Sequence, residues 1–247
     1  MKVAYLCSSD ISNHLFIETF KKHNLELLIY IENNKHNRKK IAKKKFNKLS
    51  LIEKIISPLD LLSLVFYKNI IRRFLKNKLN LISFAKSKEN LLFTQDINSS
   101  DVYKNINSFK PDVIIVRGTS VIKEPLINYH PKYFLNIHGA IVPNYRNVHG
   151  QFWSYYFKDF QNMGSSVLHL TKGIDNGNIA LISNLDETPS SLKDLHLKTL
   201  VLSNNLTDKL IRNLLIENKL DSDTQNKNVK PFYGQTPRFI DFIKLWI

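Results

Sequence analysis

Short apolar runs separated by polar turns set the pattern of this chain. Lys2–Leu6 is apolar and breaks at Ser8-Ser9-Asp10. Asn13–Lys22 then carries Leu15, Phe16, Thr19 and Phe20 at helical spacing, with Ser12 as N-cap, and Leu25–Ile31 is apolar again. Strand, helix and strand in that order form the unit of a parallel sheet. Leu91–Thr94 predicts a short strand, and Ser100-Asp101 opens a helix through Phe109, stopped by Pro111. The unbroken run Asp112–Arg117 predicts a fully buried strand with Gly118-Thr119-Ser120 as its exit. Lys123–Asn128 predicts a short helix, Tyr133–Ile137 a strand, and Gly150–Lys158 a helix burying Phe152, Trp153 and Tyr156. Gly164–Leu170 and Ile179–Ser183 predict two further strands, and a helix signature at Thr188–Asp194 starts a helix ending about Glu217. Asp221–Asn228 is a polar linker, and Lys230–Ile247 an arm rich in aromatic residues (Phe232, Tyr233, Phe239, Phe242, Trp246).

One segment departs from this rhythm. Residues 33–90 hold 16 Lys and Arg against 3 Asp and Glu, so most of the net charge of +15 lies there. Arg38–Phe46 is basic, and Leu59–Leu75 is amphipathic with Pro58 near a helix start. The segment reads as two or three helices on the flank of the sheet. The expected architecture is α/β, a Rossmann-like, doubly wound, mainly parallel sheet. Residues 1–217 form the catalytic domain, with 33–90 as a basic helical insert. Residues 218–247 form a linker and an aromatic arm that packs on the body or across a homodimer.

Composition narrows the class. At 247 residues, 43% hydrophobic and 23% charged, the chain can bury a real core. The lone Cys7 excludes an intramolecular disulfide and belongs to packing at the end of the first apolar run. No run approaches the roughly 18 apolar residues of a membrane span. Met1–Cys7 is too short for a signal core, so a cytoplasmic location is expected. The first loop lacks the glycine turn of a dinucleotide site.

The candidate chemistry lies at the ends of apolar runs. Residues two apart on a strand share a face, so Asn136 and His138 project together while Ile137 turns into the core. Asp175, in Gly173-Ile-Asp-Asn-Gly-Asn-Ile179, supplies a carboxylate from a separate turn. Such polar groups need a use or a partner when buried.

Asn136-Ile-His138, Val142-Pro-Asn-Tyr-Arg-Asn147 and Gly173–Ile179, with 37 residues from His138 to Asp175, resemble the folate-dependent formyltransferase family. The resemblance is dense over residues 110–185 and weaker over 1–32. Asn147 stands where that family has glycine, and Ala140-Ile141 departs from its Ser-Leu or Gly-Leu. The resemblance implies a formyltransferase fold, with 10-formyltetrahydrofolate as donor, a primary amine as acceptor and no metal. Asn136, His138 and Asp175 are the implied catalytic residues. An amide and an imidazole donate to the oxyanion of formyl transfer. The imidazole also serves as general base, and Asp175 fixes its tautomer and relays the proton through water. The implied folate site is Gly118, Thr119, Ser120, Val121, Ile122 and Lys123, closed by Gly173 and Ile174.

The acceptor is read from what surrounds this core. Too few residues follow Glu217 for the extra domain of the methionyl-tRNA enzymes, and the glycinamide ribonucleotide enzymes lack such an insert. The remaining group, the sugar N-formyltransferases of surface-polysaccharide (O-antigen, lipopolysaccharide) synthesis, implies a nucleotide-linked amino sugar of the dTDP-4-amino-4,6-dideoxyglucose type. Arg117, Arg146 and Lys172 are candidates for its diphosphate, and Tyr145 and Trp153 for stacking. Tyr156, His149 and His14 are further candidates. Three alternatives remain: glycinamide ribonucleotide or another amine as acceptor, a hydrolase releasing formate, and a protein whose basic cluster Arg38–Lys45 is a nucleic-acid or anionic-membrane footprint.

Overall fold

A computed structural model describes residues 1–33, 46–47, 50–81, 84 and 91–246. Its elements are β1 (Lys2–Ser8), α1 (Asn13–Lys22), β2 (Glu26–Glu32), α2 (Leu51–Lys78), β3 (Leu92–Thr94), α3 (Ser100–Phe109), β4 (Val113–Arg117) and β5 (Tyr133–His138). They continue as β6 (Tyr145–Asn147), α4 (Gly150–Tyr156), β7 (Gly164–His169), β8 (Ile179–Asn184), α5 (Leu192–Ile216), β9 (Phe232–Gly234) and α6 (Phe239–Trp246). Seven strands form one sheet in the order β3-β2-β1-β4-β5-β7-β8. The strands from β3 through β5 are parallel, and β7 and β8 are added antiparallel. The chain leaves β1 toward β2 and β3, then returns to its other side with β4. That reversal puts a crevice at the carboxyl ends of β1 and β4, where open α/β sheets bind ligands.

Strand alternation divides the core. Val3, Tyr5, Cys7, Val113, Ile115, Leu135 and Ile137 pack on one face with Phe16 and Phe20 of α1, Ile71 and Leu75 of α2, and Leu210 of α5. Ala4, Leu6, Ile114 and Val116 pack on the other with Val102 and Ile106 of α3. Cys7 is fully buried, and that burial pushes its thiol well above the ordinary range. It belongs to the packing.

Several local expectations are revised. Ser12 makes no side-chain cap; its hydroxyl turns to Asp10. Pro58 lies inside α2 rather than near its start. Proline cannot donate to the carbonyl of Lys54, and the Ser57 hydroxyl donates there instead, at 3.3 Å. Lys123–Asn128 contracts to a 3-10 turn at Leu126–Asn128, and the Lys123 N–H is donated to Asn98 Oδ1 at 2.7 Å. The polar linker is not free of the sheet, since Asp223 bridges Ile179. In the arm, β9 pairs parallel with β6. The basic run Arg38–Lys45 lies outside the described residues.

Candidate active site

The carboxyl end of β5 carries Asn136 and His138 on the face opposite Leu135 and Ile137. Asp175 comes to them from the β7–β8 turn. Its Oδ1 accepts from Asn136 Nδ2 at 2.9 Å, and its Oδ2 accepts from the Asn147 N–H at 2.7 Å and lies 3.6 Å from His138 Nδ1. The His138 and Asp175 side chains are 10% and 12% exposed, so their interaction is little screened by water. His138 Nε2 lies 2.9 Å from the carbonyl of Tyr145. A carbonyl only accepts, so Nε2 carries the hydrogen and Nδ1 is the nitrogen left to take a proton. With one Asn136 N–H given to Asp175, the other points away from the carboxylate.

The turn is fastened from outside. Gln225 donates to the carbonyls of Asp175 and Gly177 at 2.9 and 2.8 Å and accepts from Arg146 Nη2 at 2.6 Å. No periodicity or motif marked Gln225, a polar residue in a polar stretch. Gly177 is required there, since a Cβ would lie 1.8 Å from the His169 carbonyl oxygen. Asp175, Asn147 and His149 all have left-handed backbone, with φ of 46°, 68° and 58°. Glycine takes that conformation without strain, and Asn is next best among L-residues, which accounts for Asn147 at a glycine position. Its side chain also donates to the Gly234 carbonyl at 2.8 Å, tying β6 to β9.

The loop after β4 faces this turn. Gly118, at φ +65°, starts it. Glu32 is buried at the end of β2 and accepts from the N–H groups of Ser120 (2.6 Å) and Ile97 (3.2 Å). Asn98 holds the Val121 carbonyl and the Lys123 N–H. Lys172 pairs with Glu124 at 3.3 Å, which brings 118–124 and 172–175 together. Val121 and Ile174 remain 66% and 46% exposed beside them, apolar surface of the kind a flat ring covers. A cavity of about 10 Å³, room for one water, is lined by Asn136, Gly173 and Asp175.

The remaining candidates divide by geometry. Trp153 is 4% exposed, with its indole N–H donated to the Gln235 carbonyl and its ring among Phe152, Tyr156, Phe157 and Phe232. Tyr145 is equally buried and donates to Asp159. Their rings are committed to packing, which corrects the stacking expectation for both. Tyr156 belongs to the same aromatic cluster. Arg117 bonds Ser12 and Asn13 and lies over the Phe16 ring, on the α1 face of the sheet. Lys172 is 74% exposed, a surface pair rather than a buried clamp. Arg146 reaches Gln225 and Tyr233, while its buried Nε has no protein partner. His14 is buried beside Phe84. His196 bonds Tyr67, and His149 lies near His196; burial is the main reason both imidazoles are pushed down to about 4.

The formyl transferase family pattern matches residues 60–197, and the chain belongs to that family. A methionyl-tRNA formyltransferase of Finegoldia magna is 24% identical over 119 residues, 47% of this chain and 38% of that protein. The match therefore spans well under half of that relative. Glycinamide ribonucleotide transformylase 1 from Symbiobacterium toebii superposes with a TM-score of 0.56 at 13% identity, covering 92% of this chain and 94% of the other. WlaRD, a sugar 3N-formyl transferase in the presence of dTDP and 5-N-formyl-THF, gives 0.56 at 14% identity over 94% and 69%. These structures share the α/β formyltransferase fold. Among the described residues, no group of three His, Cys, Asp or Glu side chains is placed to hold a metal, and no helix is long and apolar enough to cross a membrane.

Proposed function

We propose that this protein transfers a formyl group from 10-formyltetrahydrofolate to the amine of a nucleotide-linked amino sugar. The convergence of Asn136, His138 and Asp175 carries the reading. Asn136 directs its second N–H to the formyl oxygen as negative charge develops there. His138 Nδ1 receives the proton the amine sheds, and the nearby Asp175 carboxylate stabilises the resulting imidazolium. The facing segments 118–124 and 172–175, with Val121 and Ile174 uncovered, are the walls for the pterin.

The acceptor reading is supported by a structure that shares the fold, a sugar 3N-formyl transferase in the presence of dTDP. The acceptor proposed is a nucleotide sugar of the dTDP-4-amino-4,6-dideoxyglucose type, made for surface polysaccharide. Arg146, whose guanidinium reaches Gln225 behind the Asp175 turn, is the cation proposed for an acceptor phosphate. Incubating the protein with 10-formyltetrahydrofolate and a panel of nucleotide-linked amino sugars, glycinamide ribonucleotide and methionyl-tRNA, read by mass, decides the class. One formyl group gained by an amino sugar is the expected result. Formylation of glycinamide ribonucleotide or methionyl-tRNA alone would reassign the acceptor, and formate release without acceptor would make the protein a hydrolase.

A further inference from the structure

The outward side of α2 carries a cluster of exposed apolar side chains. Tyr67, Ile71 and Leu75 turn inward to the core. On the other side, Leu61 and Leu62 are 64% and 66% exposed, Val65 47% and Phe66 59%. About two and three turns further on, the same outward side carries exposed Arg72, Arg73 and Lys76. The helix thus presents an apolar half followed by a cationic half. Exposed apolar side chains of this size, clustered over two turns, mark a contact surface.

The charge favours one occupant. A second copy would bring Arg72, Arg73 and Lys76 toward another strongly basic chain. Asp60, the acidic residue next to Leu61 and Leu62, is already engaged as acceptor for the Phe239 N–H at 2.7 Å, where α6 begins. The whole insert is basic, with 16 Lys and Arg against 3 Asp and Glu over residues 33–90. Apolar side chains that enter the acyl boundary, backed by cations at headgroup level, are what an anionic bilayer surface binds. We propose that α2 docks the protein peripherally on anionic lipid, with Leu61, Leu62, Val65 and Phe66 inserted and Arg72, Arg73 and Lys76 on the headgroups. A lone nucleic acid would use the charges and leave the apolar half idle.

The test is flotation of the full chain with phosphatidylcholine vesicles, with and without phosphatidylglycerol, at low and high salt. The expected result is binding only when phosphatidylglycerol is present, weakened by salt. L62E/F66E and R72E/R73E should each lower binding at least about tenfold, since apolar and electrostatic contributions act together. Both pairs lie on the exposed side, so unfolding temperature should hold. No binding to anionic vesicles overturns the proposal. So does loss with R72E/R73E but not L62E/F66E, which marks a polyanion site. A concentration-dependent dimer abolished by L62E/F66E would assign the face to a second copy. A marked fall in unfolding temperature for L62E/F66E without vesicle binding would assign it to this chain's own insert.

Discussion

Asp175 ties together three groups that otherwise belong to separate parts of the chain. It fixes the Asn136 amide, receives the Asn147 N–H and faces His138 Nδ1. Asn136→Ala, His138→Ala and Asp175→Ala should each lower kcat by about 10²-fold or more with the fold retained, measured by single-turnover formyl transfer. Near wild-type turnover in all three would remove the assignment. Asn147 makes a separate prediction. Its φ of 68° suits glycine and tolerates asparagine. Asn147→Gly should cost about 1 kcal/mol, the bond to Gly234. Asn147→Ala should cost roughly 1–2 kcal/mol more, because alanine pays for left-handed backbone. Equal denaturation midpoints for the two would remove that explanation.

At the scale of elements, the loop after β4 depends on a side chain from β2. Glu32 satisfies the Ser120 and Ile97 N–H groups. Glu32→Ala strands both, at a cost on the order of 2–4 kcal/mol in unfolding free energy. It should also weaken folate binding by more than it affects the acceptor KM, since 118–123 is the proposed pterin wall. Gln225 does the equivalent work for the Asp175 turn, and Gln225→Ala should lower kcat with little change in stability, because most of the turn is solvent-facing. These contacts explain what the sequence showed and what it withheld. Strand periodicity placed Asn136 and His138 on one face, since alternation is local. Glu32, Asn98 and Gln225 carried no such signal, because their partners are backbone groups at least 23 residues away.

For the whole molecule, the buried imidazoles give a pH dependence of stability. His149 and His196 titrate at about 4 when folded, against an ordinary 6.5, chiefly through burial. Between those values the unfolded chain binds more protons than the folded one, so stability falls as pH drops from about 6.5 toward 4. Thermal unfolding across that range should show the fall, and His149→Asn should flatten it. A midpoint constant over the range would mean that neither imidazole is held neutral by the fold.

The sequence alone determined the alternation of strands and helices, the parallel sheet they imply, the shared face of Asn136 and His138, and the family pattern. All of these are set by periodicity or by residues close in the chain. It placed Pro58 at a helix start and left Tyr145 and Trp153 open to stacking as well as packing, because a helix can pass a proline when a neighbouring hydroxyl takes the freed carbonyl, and because an aromatic ring looks the same in sequence whether it stacks on a ligand or packs in the core. Only the tertiary structure brought Asp175 against β5, fastened its turn through Gln225, and left one side of α2 apolar and cationic toward solvent. Those outcomes depend on contacts between distant segments, and on burial, which a one-dimensional pattern does not contain.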